Sequence, residues 1–314
     1  MTLGAQNGES TFKNAIKMHQ HNEIEINDVI LESIDCQLQC CIAHESYLRE
    51  ITSIKSPLPG CLIIRNGLSI MEQQQLLYDA LIKYPNEYPT VLQKDYELDE
   101  GIDIFESYRT RDVSIVNESQ FNGTCPVTNR SYARKVVKSI EKQHLLKKLR
   151  WTLLGREFDW INRVYTDKSY PIPDLLTRIT NKIIKATQFI TKCNSLSIQA
   201  GVCNYYKLKD RMMAHIDHSE KNMSIPLVSI SLGASCVFLM GTTTLNDAPI
   251  PIKLHSGDIL MMYNECRYAY HAIPRIIETD FSFLKDSLLI YFKQVLTYVK
   301  EKNLRVNINV RQIE

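Results

Sequence analysis

The sequence predicts an α+β fold in which helices flank a jelly roll or sandwich of short strands. From residue 196 onward, β-rich runs follow one another with turns between them, which is typical of two packed antiparallel sheets. The runs are LSIQAGVCNYY, PLVSISLG, SCVFLM, DILMMY, RYAYHAI and LRVNINVR. A helix is predicted from Ser69, whose capping box with Glu72 marks its start, to the residue before Pro85. A second helix is predicted at about 173–190.

The residues before these elements predict a helical N-terminal extension. Residues 10–55 are polar and lack a strong strand pattern. The sequence SPLPG at 56–60 is the best candidate boundary, because proline and glycine interrupt regular structure, and a short apolar strand, CLII, follows it. We therefore expect three regions: the extension at 1–56, an irregular region with one buttressing helix at 57–170, and the strand-rich core at 171–314.

The composition is that of a soluble globular protein, with 44% hydrophobic and 23% charged residues. A net charge of +2 does not indicate a polyanionic partner, so any nucleic-acid contact must come from local clusters. The chain has no apolar run of the roughly 18 residues that span a membrane and no apolar signal-peptide core. Nine irregularly spaced cysteines predict reduced thiols. We expect an intracellular monomer without membrane contact, in the nucleus, mitochondrion or cytoplasm.

Two local clusters of side chains could mark binding sites. Cys36, Cys40 and Cys41 lie close together in CQLQCC, but no second pair of cysteines or histidines follows at zinc spacing, so packing within a helix is the preferred interpretation. Residues 130–150 carry eight basic side chains against one acidic side chain, Glu141. This stretch is either a solvated helical face or a surface for a phosphate backbone.

A candidate metal site lies inside the strand-rich region. His215 and Asp217 are two residues apart in MMAHIDHSE, so they project to one side of an extended segment. His271 follows 54 residues after Asp217, in RYAYHAIPR. Two imidazoles and one carboxylate form the facial triad that leaves three positions open on Fe(II). His255 in LHSGDI is a rival ligand, but HSGD is better interpreted as a turn that leads into a strand.

The strand RVNINVR at 305–311 alternates strictly between polar and apolar side chains. Its polar face is formed by Arg305, Asn307, Asn309 and Arg311. This face is either solvated or buried around a ligand with two negative ends. Oxygenases with a facial triad use the dianion 2-oxoglutarate, and a planar guanidinium suits its far carboxylate. The order of HxD, distal histidine and two-arginine strand favours the second interpretation.

In these motifs the sequence resembles the AlkB family of iron- and 2-oxoglutarate-dependent nucleic-acid dioxygenases, in particular its eukaryotic homologue-1 branch. The resemblance covers roughly residues 57–314 and depends on LPG, LRW, NYYKLKDRMMAHIDHSE, HSGDI, HAIPR and RVNINVRQ in the family's order. It implies a distorted double-stranded β-helix (jelly roll) with buttressing helices, and a nucleotide-recognition lid within 57–170. The implied cofactors are Fe(II), the co-substrate 2-oxoglutarate and O2.

The resemblance also assigns roles to residues in the core. It implies that His215, Asp217 and His271 are the iron ligands. The implied 2-oxoglutarate contacts are Asn204, Tyr206, Arg305, Asn307 and Arg311. In this assignment Arg305, with Tyr206 and Asn307, holds the distal carboxylate, while Arg311, with Asn204, holds the end near the metal. Considered alone, Asn204 and Tyr206 would be interpreted as ordinary cross-strand pairs, and only the full set of motifs favours a ligand contact.

The implied substrate contacts are less specific. Trp151 aligns with the family's base-stacking tryptophan, although a core or rim aromatic is the alternative. Arg156 and Phe158 occupy the positions of two lid tyrosines of bacterial members, and Ser219 stands where those members carry an acidic residue. The predicted substrate contacts are Trp151, Arg156, Ser219, Glu220, Lys147 and Lys148. Between HAIPR and Arg305 lie 29 residues, longer than in bacterial members, which we expect to be helical.

The implied function is oxidation of a methyl group on a base. The implied substrates are 1-methyladenine and 5-methylcytosine in tRNA and, secondarily, N6-methyladenine in DNA. One alternative is a 2-oxoglutarate-dependent protein hydroxylase or demethylase, against which Trp151 and the basic stretch argue. The other is a nucleic-acid-binding scaffold without turnover, against which the intact triad and both arginines argue.

Overall fold

A computed structural model of the chain describes residues 10–21, 31–33, 50–54, 58–99, 101–117, 122–124, 131–133, 139–284 and 290–314. The helices are α1 (Thr11–His21), α2 (Ile70–Tyr78), α3 (Tyr84–Glu87), α4 (Val91–Asp95), α5 (Ile104–Arg109), α6 (Asp174–Thr191) and α7 (Ile290–Lys302), with a π-helical turn at Asp79–Lys83 and 3₁₀ helices at Lys142–Lys147 and Asn264–Tyr268.

The strands, in chain order, are β1 (Leu31–Ser33), β2 (Glu50–Ile54), β3 (Cys61–Arg65), β4 (Ile115–Asn117), β5 (Asn122–Thr124), β6 (Ser131–Ala133), β7 (Ser139–Glu141), β8 (Trp151–Asp159), β9 (Val164–Ser169), β10 (Ala200–Tyr206), β11 (Met212–His215), β12 (Leu227–Gly233), β13 (Cys236–Met240), β14 (Ile250–Leu254), β15 (Ile259–Met262), β16 (His271–Ile276) and β17 (Arg305–Arg311).

Two antiparallel sheets form the core. The major sheet has the strand order β1-β2-β3-β15-β12-β17-β10-β8-β9, and the minor sheet has the order β11-β16-β13-β14. Side chains from β10, β12, β15 and β17 line one narrow cavity together with side chains from the minor sheet. The two sheets therefore face each other, as they do in a jelly roll. The predicted α+β class and double-stranded β-helix are confirmed.

Helix α6 buttresses the outer face of the major sheet, as predicted. Its buried residues recur at helical spacing, among them Leu176, Ile179 and Ile183. Thr187 Oγ1 lies 3.6 Å from Met261 Sδ of β15, which places the helix directly on this sheet. At 18 residues α6 is the longest of the described helices. No helix in the described ranges is long and apolar enough to cross a membrane.

The helix predicted from Ser69 begins there but continues farther than expected. Ser69 Oγ accepts a hydrogen bond from Glu72 N at 3.2 Å, and Glu72 Oε2 accepts one from Ser69 N at 2.8 Å, which confirms the capping box. The predicted end before Pro85 is wrong. A π-helical turn at Asp79–Lys83 leads into α3, and Pro85 lies in the first turn of α3, where a backbone N–H is not needed.

The N-terminal region is helical only in part. Helix α1 packs on the minor sheet through Phe12, which is fully buried in a cluster with Val237 and Leu239. The expectation of helices throughout 10–55 is wrong for β1 and β2, and β2 pairs with β3 across the predicted boundary at residue 56. The β-branched residues of EITSI favour a strand. The predicted cysteine cluster CQLQCC lies outside the described residues.

Two further helix predictions have different outcomes. Residues 130–150 do not form one continuous basic helix: the described parts are β6, β7 and the 3₁₀ helix Lys142–Lys147. The insertion before Arg305 contains α7, as expected, although residues 285–289 within it lie outside the described residues. The division of the chain into three regions stays a prediction.

Candidate active site

The three predicted metal ligands meet at one end of the minor sheet. His215 ends β11 and His271 begins β16, and these two residues are direct partners in the strand register. One ligand atom from each of His215, Asp217 and His271 lies within 4.8 Å of the others. His215 Nδ1 is 2.8 Å from Met213 O and His271 Nδ1 is 3.2 Å from Ala269 O. These carbonyls accept the Nδ1 protons and leave both Nε2 atoms for a metal.

The charges around this group favour metal binding. Burial alone would raise the pKa of the Asp217 carboxyl, but the charge of Arg311 above all holds it well below its usual range. Burial, reinforced by His215, lowers the pKa of His271 to about 4. At neutral pH the carboxyl is therefore ionised and the His271 imidazole is neutral. These are the protonation states that a divalent cation requires.

Glu220 is linked to the metal group through two arginines. Arg311 Nη1 donates to Glu220 Oε1 at 2.7 Å, and its Nη2 donates to Asp217 Oδ2 at 3.2 Å. Arg267 donates from Nη2 to Glu220 Oε2 at 3.2 Å and from Nη1 to Asp217 O at 3.3 Å. The Glu220 side chain is fully buried. The prediction that Glu220 binds substrate stays a prediction, and in this structure both of its oxygens are held by guanidinium groups inside the core.

The polar face of β17 is buried, so the solvated interpretation of RVNINVR is wrong. Arg305 is fully buried, and its Nη2 donates to Ser231 Oγ at 3.0 Å. Tyr206 is the direct register partner of Arg305 on β10. Asn307 Nδ2 donates to Ser229 Oγ at 2.9 Å. The major sheet therefore presents a guanidinium, a phenol and an amide toward the metal group on the minor sheet.

Unpartnered polar atoms in this region fit a dicarboxylate. The Nε donors of Arg305 and Arg311 are buried without a hydrogen-bond partner among the described residues. A buried donor without a partner costs ~1–3 kcal/mol, which a ligand carboxylate would recover. The residues around Arg305 also line the narrow cavity between the sheets, which we call the co-substrate cavity. Its polar lining includes Asn204, Tyr206, Arg305, Asn307 and Asn309, together with the three metal ligands.

The donor set therefore fits Fe(II) and 2-oxoglutarate. Arg305 lies in the co-substrate cavity, where it would hold the distal carboxylate beside Tyr206. Arg311 lies on the other side of the metal group, where it contacts Asp217 and shares a second cavity with Asn204. The predicted roles of Arg305 and Arg311 are consistent with these positions.

This second cavity, of about 550 Å³, opens outward from the metal group and is called here the metal cavity. Its lining includes Phe158, Trp160, Tyr165, Asp217, His218 and Ser219. Phe158 and Ser219, which the sequence singled out, are therefore both near the metal. Trp160 and Tyr165 were missed, although DWIN between two strands contains the turn residues Asp159 and Asn162 that indicate a β8–β9 hairpin.

Other predicted substrate contacts lie outside the metal cavity. Arg156 forms an ion pair with Glu314, with Arg156 Nη1 3.1 Å from Glu314 Oε1, and does not line the cavity. Trp151 lines a neighbouring cavity on the same sheet. Lys147 and Lys148 are exposed at the end of the 3₁₀ helix that precedes β8.

Lys147 and Lys148 belong to a cationic patch that also contains Arg150 and Lys207. Lys207 Nζ donates to Lys147 O, which brings the loop after β10 to the end of the 3₁₀ helix. Burial, followed by the charge of Arg150, lowers the pKa of Lys207. Asp210 forms an ion pair with Arg150 and raises the pKa of Lys207, so it offsets part of the positive charge of this patch.

His255 lies in a turn, as predicted, and is not part of the group formed by His215, Asp217 and His271. Asp258 Oδ2 accepts a hydrogen bond from His255 N at 2.9 Å and from Arg65 Nη1 at 2.5 Å. Asp258 Oδ1 accepts one from Asn66 N at 3.2 Å. Gly257 adopts a φ of 86°, the left-handed region that favours glycine. HSGD therefore links the start of β15 to the end of β3.

Comparisons with known proteins agree with this geometry. The family described as the 2OG-Fe(II) oxygenase superfamily matches residues 107–311. A protein of Schizosaccharomyces pombe named tRNA demethylase abh1 is 35% identical over 262 residues, which cover 81% of this chain and 79% of that protein. A protein of Arabidopsis thaliana named DNA N(6)-methyladenine demethylase ALKBH1A is 30% identical over 269 residues, which cover 81% of this chain and 75% of that protein.

A solved structure has the same fold. The structure titled "The structure of OsALKBH1" superposes with a TM-score of 0.52 at 18% identity and covers 83% of this chain and 99% of its own. The matched family, the two relatives and the His-Asp-His group lead to the same assignment. The chain belongs to the 2OG-Fe(II) oxygenase superfamily and, within it, to the group of AlkB homologue 1 proteins.

Proposed function

We propose that this dioxygenase oxidises methyl groups on the bases of nucleic acids. The observation that carries the proposal is the metal cavity, in which Phe158, Trp160 and Tyr165 form a wall beside Asp217. Aromatic faces stack on nucleobases of any sequence. The names of the relatives, a tRNA demethylase and a DNA N(6)-methyladenine demethylase, support the same class of substrate.

Bound Fe(II) and 2-oxoglutarate supply the oxidising chemistry: O2 is consumed, 2-oxoglutarate loses CO2 to become succinate, and one oxygen atom enters a C–H bond of the methyl group. A hydroxymethyl group on nitrogen then leaves as formaldehyde and the N–H is restored. A hydroxymethyl group on carbon stays attached. The outcome therefore depends on which atom of the base carries the methyl group.

The side chains of this protein would bind the metal and the co-substrate. His215, Asp217 and His271 would hold the metal, and His215 and Asp217 line the metal cavity. Arg305 would hold the distal carboxylate, and burial raises the pKa of Tyr206 despite Arg305, so its phenol keeps a proton to donate. A base inside a duplex cannot reach this cavity, so the target base must be flipped or already unpaired.

We extend the proposal to particular bases and surfaces. We infer that 1-methyladenine and 5-methylcytosine in tRNA are substrates and that N6-methyladenine in DNA is a second one. Ser219 lines the metal cavity where bacterial members carry an acidic residue. Base selection must therefore use other contacts than in those proteins. The cationic patch at Lys147 and Lys148 would bind phosphates.

The experiment that tests the proposal measures succinate release with a matched panel of substrates. The panel contains methylated tRNA, methylated DNA and peptides, each beside its unmethylated counterpart. We expect methylated nucleic acid to raise succinate release and to lose its methyl group, and Asp217→Ala to abolish both. Stimulation by peptides alone would establish a protein hydroxylase. Binding of nucleic acid without succinate release in any sample would establish a scaffold.

A further inference from the structure

A second aromatic cavity lies beside the metal cavity. This outer aromatic cavity, of about 580 Å³, is lined by Tyr88, Trp151, Phe158, Trp160 and Tyr170, among other residues. Its wall includes both tryptophans of the chain. Their ring centroids are 5.6 Å apart with an interplanar angle of 42°. Trp160 remains 42% exposed, so one of the two rings is open to an incoming group.

The two cavities share a wall and one face of the major sheet. Phe158 and Trp160 line both cavities, and their ring centroids are 4.9 Å apart. Trp151 on β8 is the register partner of Asn204 on β10, so the two side chains lie on the same sheet face. A row of rings therefore runs from Trp151 outside to Tyr165 beside the metal group. Phe158 and Tyr165 complete it, with centroids 5.0 Å apart.

The chemistry of the outer aromatic cavity suits a nucleobase better than a phosphate. Lys168 Nζ lies 3.5 Å from Glu157 Oε2 and 5.3 Å from the centroid of the Tyr170 ring, so this cation is already compensated. The lining also contains a second cation, Lys94, and the carboxylates of Glu87 and Asp159, so its negative side chains outnumber its positive ones and would repel a phosphate. Asn86 brings an exposed amide to the rim, and such an amide can hydrogen-bond the edge of a base.

The thickness of the shared wall determines which strand can occupy both cavities. Two bases that contact opposite faces of one aromatic ring lie at least about 7 Å apart, which is twice a contact distance of ~3.5 Å. Stacked bases along one strand are separated by only ~3.4 Å. Adjacent bases can therefore occupy the two cavities together only if the strand is unstacked between them.

We propose that the outer aromatic cavity binds the unpaired base next to the target base in the same strand. This proposal depends on the proposed function, because it takes the metal cavity as the place of the target base. The substrate must then present two successive unpaired bases, as a loop or a single strand does. A duplex that flips one base satisfies only the metal cavity.

The test compares two RNAs of ten nucleotides that differ only next to the target. Both contain 1-methyladenosine at the centre, and the second has abasic residues on each side of it. Binding is measured by the anisotropy of a terminal dye, with the full chain, Fe(II) and 2-oxoglutarate in the absence of O2. Because both tryptophans line the outer aromatic cavity, tryptophan emission is recorded in the same titration.

Trp160 lines both cavities, so the target base of either RNA can quench it. We therefore expect the intact RNA to quench tryptophan emission further than the abasic RNA does, because only its neighbouring base reaches Trp151. The abasic RNA should bind between about 5-fold and 150-fold more weakly, the loss that one base–aromatic stack implies. Trp151→Ala should weaken binding of the intact RNA by a similar factor and should hardly change binding of the abasic RNA. Trp151→Phe should restore most of the affinity. Phe189→Ala, which removes an exposed ring on α6, is the matched control and should not change the affinity for either RNA.

The outcomes separate this proposal from the proposed function. Equal affinity and equal quenching by the two RNAs would overturn the second base site, and if O2 then oxidised both RNAs equally the proposed function would still stand. The intact RNA could instead quench emission and bind more tightly than the abasic RNA without being oxidised when O2 is added. That result would support the second base site and contradict the proposed substrate. Absence of binding by either RNA would contradict both.

Discussion

Replacing Arg305 by leucine removes the guanidinium from the co-substrate cavity. In the structure this side chain is fully buried, its Nη1 and Nη2 donate to Ala234 O at 3.3 Å and Ser231 Oγ at 3.0 Å, and its Nε has no partner among the described residues. Leucine would leave the distal carboxylate of 2-oxoglutarate without its cation. Truncating one partner of a buried charge pair costs roughly 2 to 4 kcal/mol, the lower part of the usual range.

The expected loss of 2-oxoglutarate affinity is about 30-fold to 900-fold. Arg305→Lys keeps the charge but loses the planar pair of donors, so we expect a smaller loss. Calorimetric titration with 2-oxoglutarate at saturating metal measures the affinity, and succinate titration under the same conditions checks that a dicarboxylate is recognised. Thermal unfolding of the ligand-free variants shows how much of the change is structural, because leucine also leaves Ser231 Oγ and Ala234 O without a donor.

The reasoning about Arg305 would be refuted by a folded Arg305→Leu protein that binds 2-oxoglutarate with the parent's affinity. The buried guanidinium would then serve only to connect β17 with the loop after β12. Equal losses for 2-oxoglutarate and for an uncharged analogue would refute it as well, because the far carboxylate would not be what Arg305 recognises.

Three other changes probe separate parts of the molecule. Asp217→Ala should remove tightly bound iron and abolish turnover, and unchanged metal content by elemental analysis would contradict the assignment. Asp258→Asn should lower the free energy of unfolding by ~1 to 3 kcal/mol at pH 7. Burial would raise the pKa of Asp258, but His255 and Arg65 lower it further, so the parent's advantage should shrink as the pH falls below about 4. Urea unfolding at pH 7, 5 and 3 tests this, and a constant difference would exclude it. Lys147→Glu combined with Lys148→Glu should weaken the binding of nucleic acids of every sequence. The slope of log affinity against log salt concentration should fall by roughly 0.7 per lost phosphate contact. An unchanged slope would place the phosphate surface elsewhere.

The metal group and the buried face of β17 could be predicted from the sequence because strand periodicity carries the information. Residues two apart on a strand share a face, so HxD and RVNINVR each predict a set of side chains that act together. The turn at Asp258 was also predictable, since glycine and aspartate at a strand start are local signals. That these segments meet in space could be predicted only because their order along the chain matches the order of the same motifs in the AlkB family.

The role of Glu220 could not be predicted, because it depends on contacts between distant segments. Its carboxylate is held by Arg267 and Arg311, which lie 47 and 91 positions away in the chain. No local pattern distinguishes such a carboxylate from an exposed one that contacts substrate. The strand β2 was missed for a related reason: a five-residue run next to a turn becomes a strand only because β3 offers it an edge.

The hydrogen-bonded group of Asp217, Glu220, Arg267 and Arg311 has two negative and two positive side chains, so its charges cancel before any ligand arrives. The buried Arg305 in the neighbouring co-substrate cavity adds one positive charge. A divalent cation adds two positive charges and 2-oxoglutarate adds two negative ones, so together they leave the net charge as it was. The cation alone would concentrate three positive charges in a place of low dielectric. The cation and the dianion should therefore strengthen each other's binding. A monocarboxylate keto acid, which compensates only one of the two charges that the cation brings, should bind poorly even where its shape would fit.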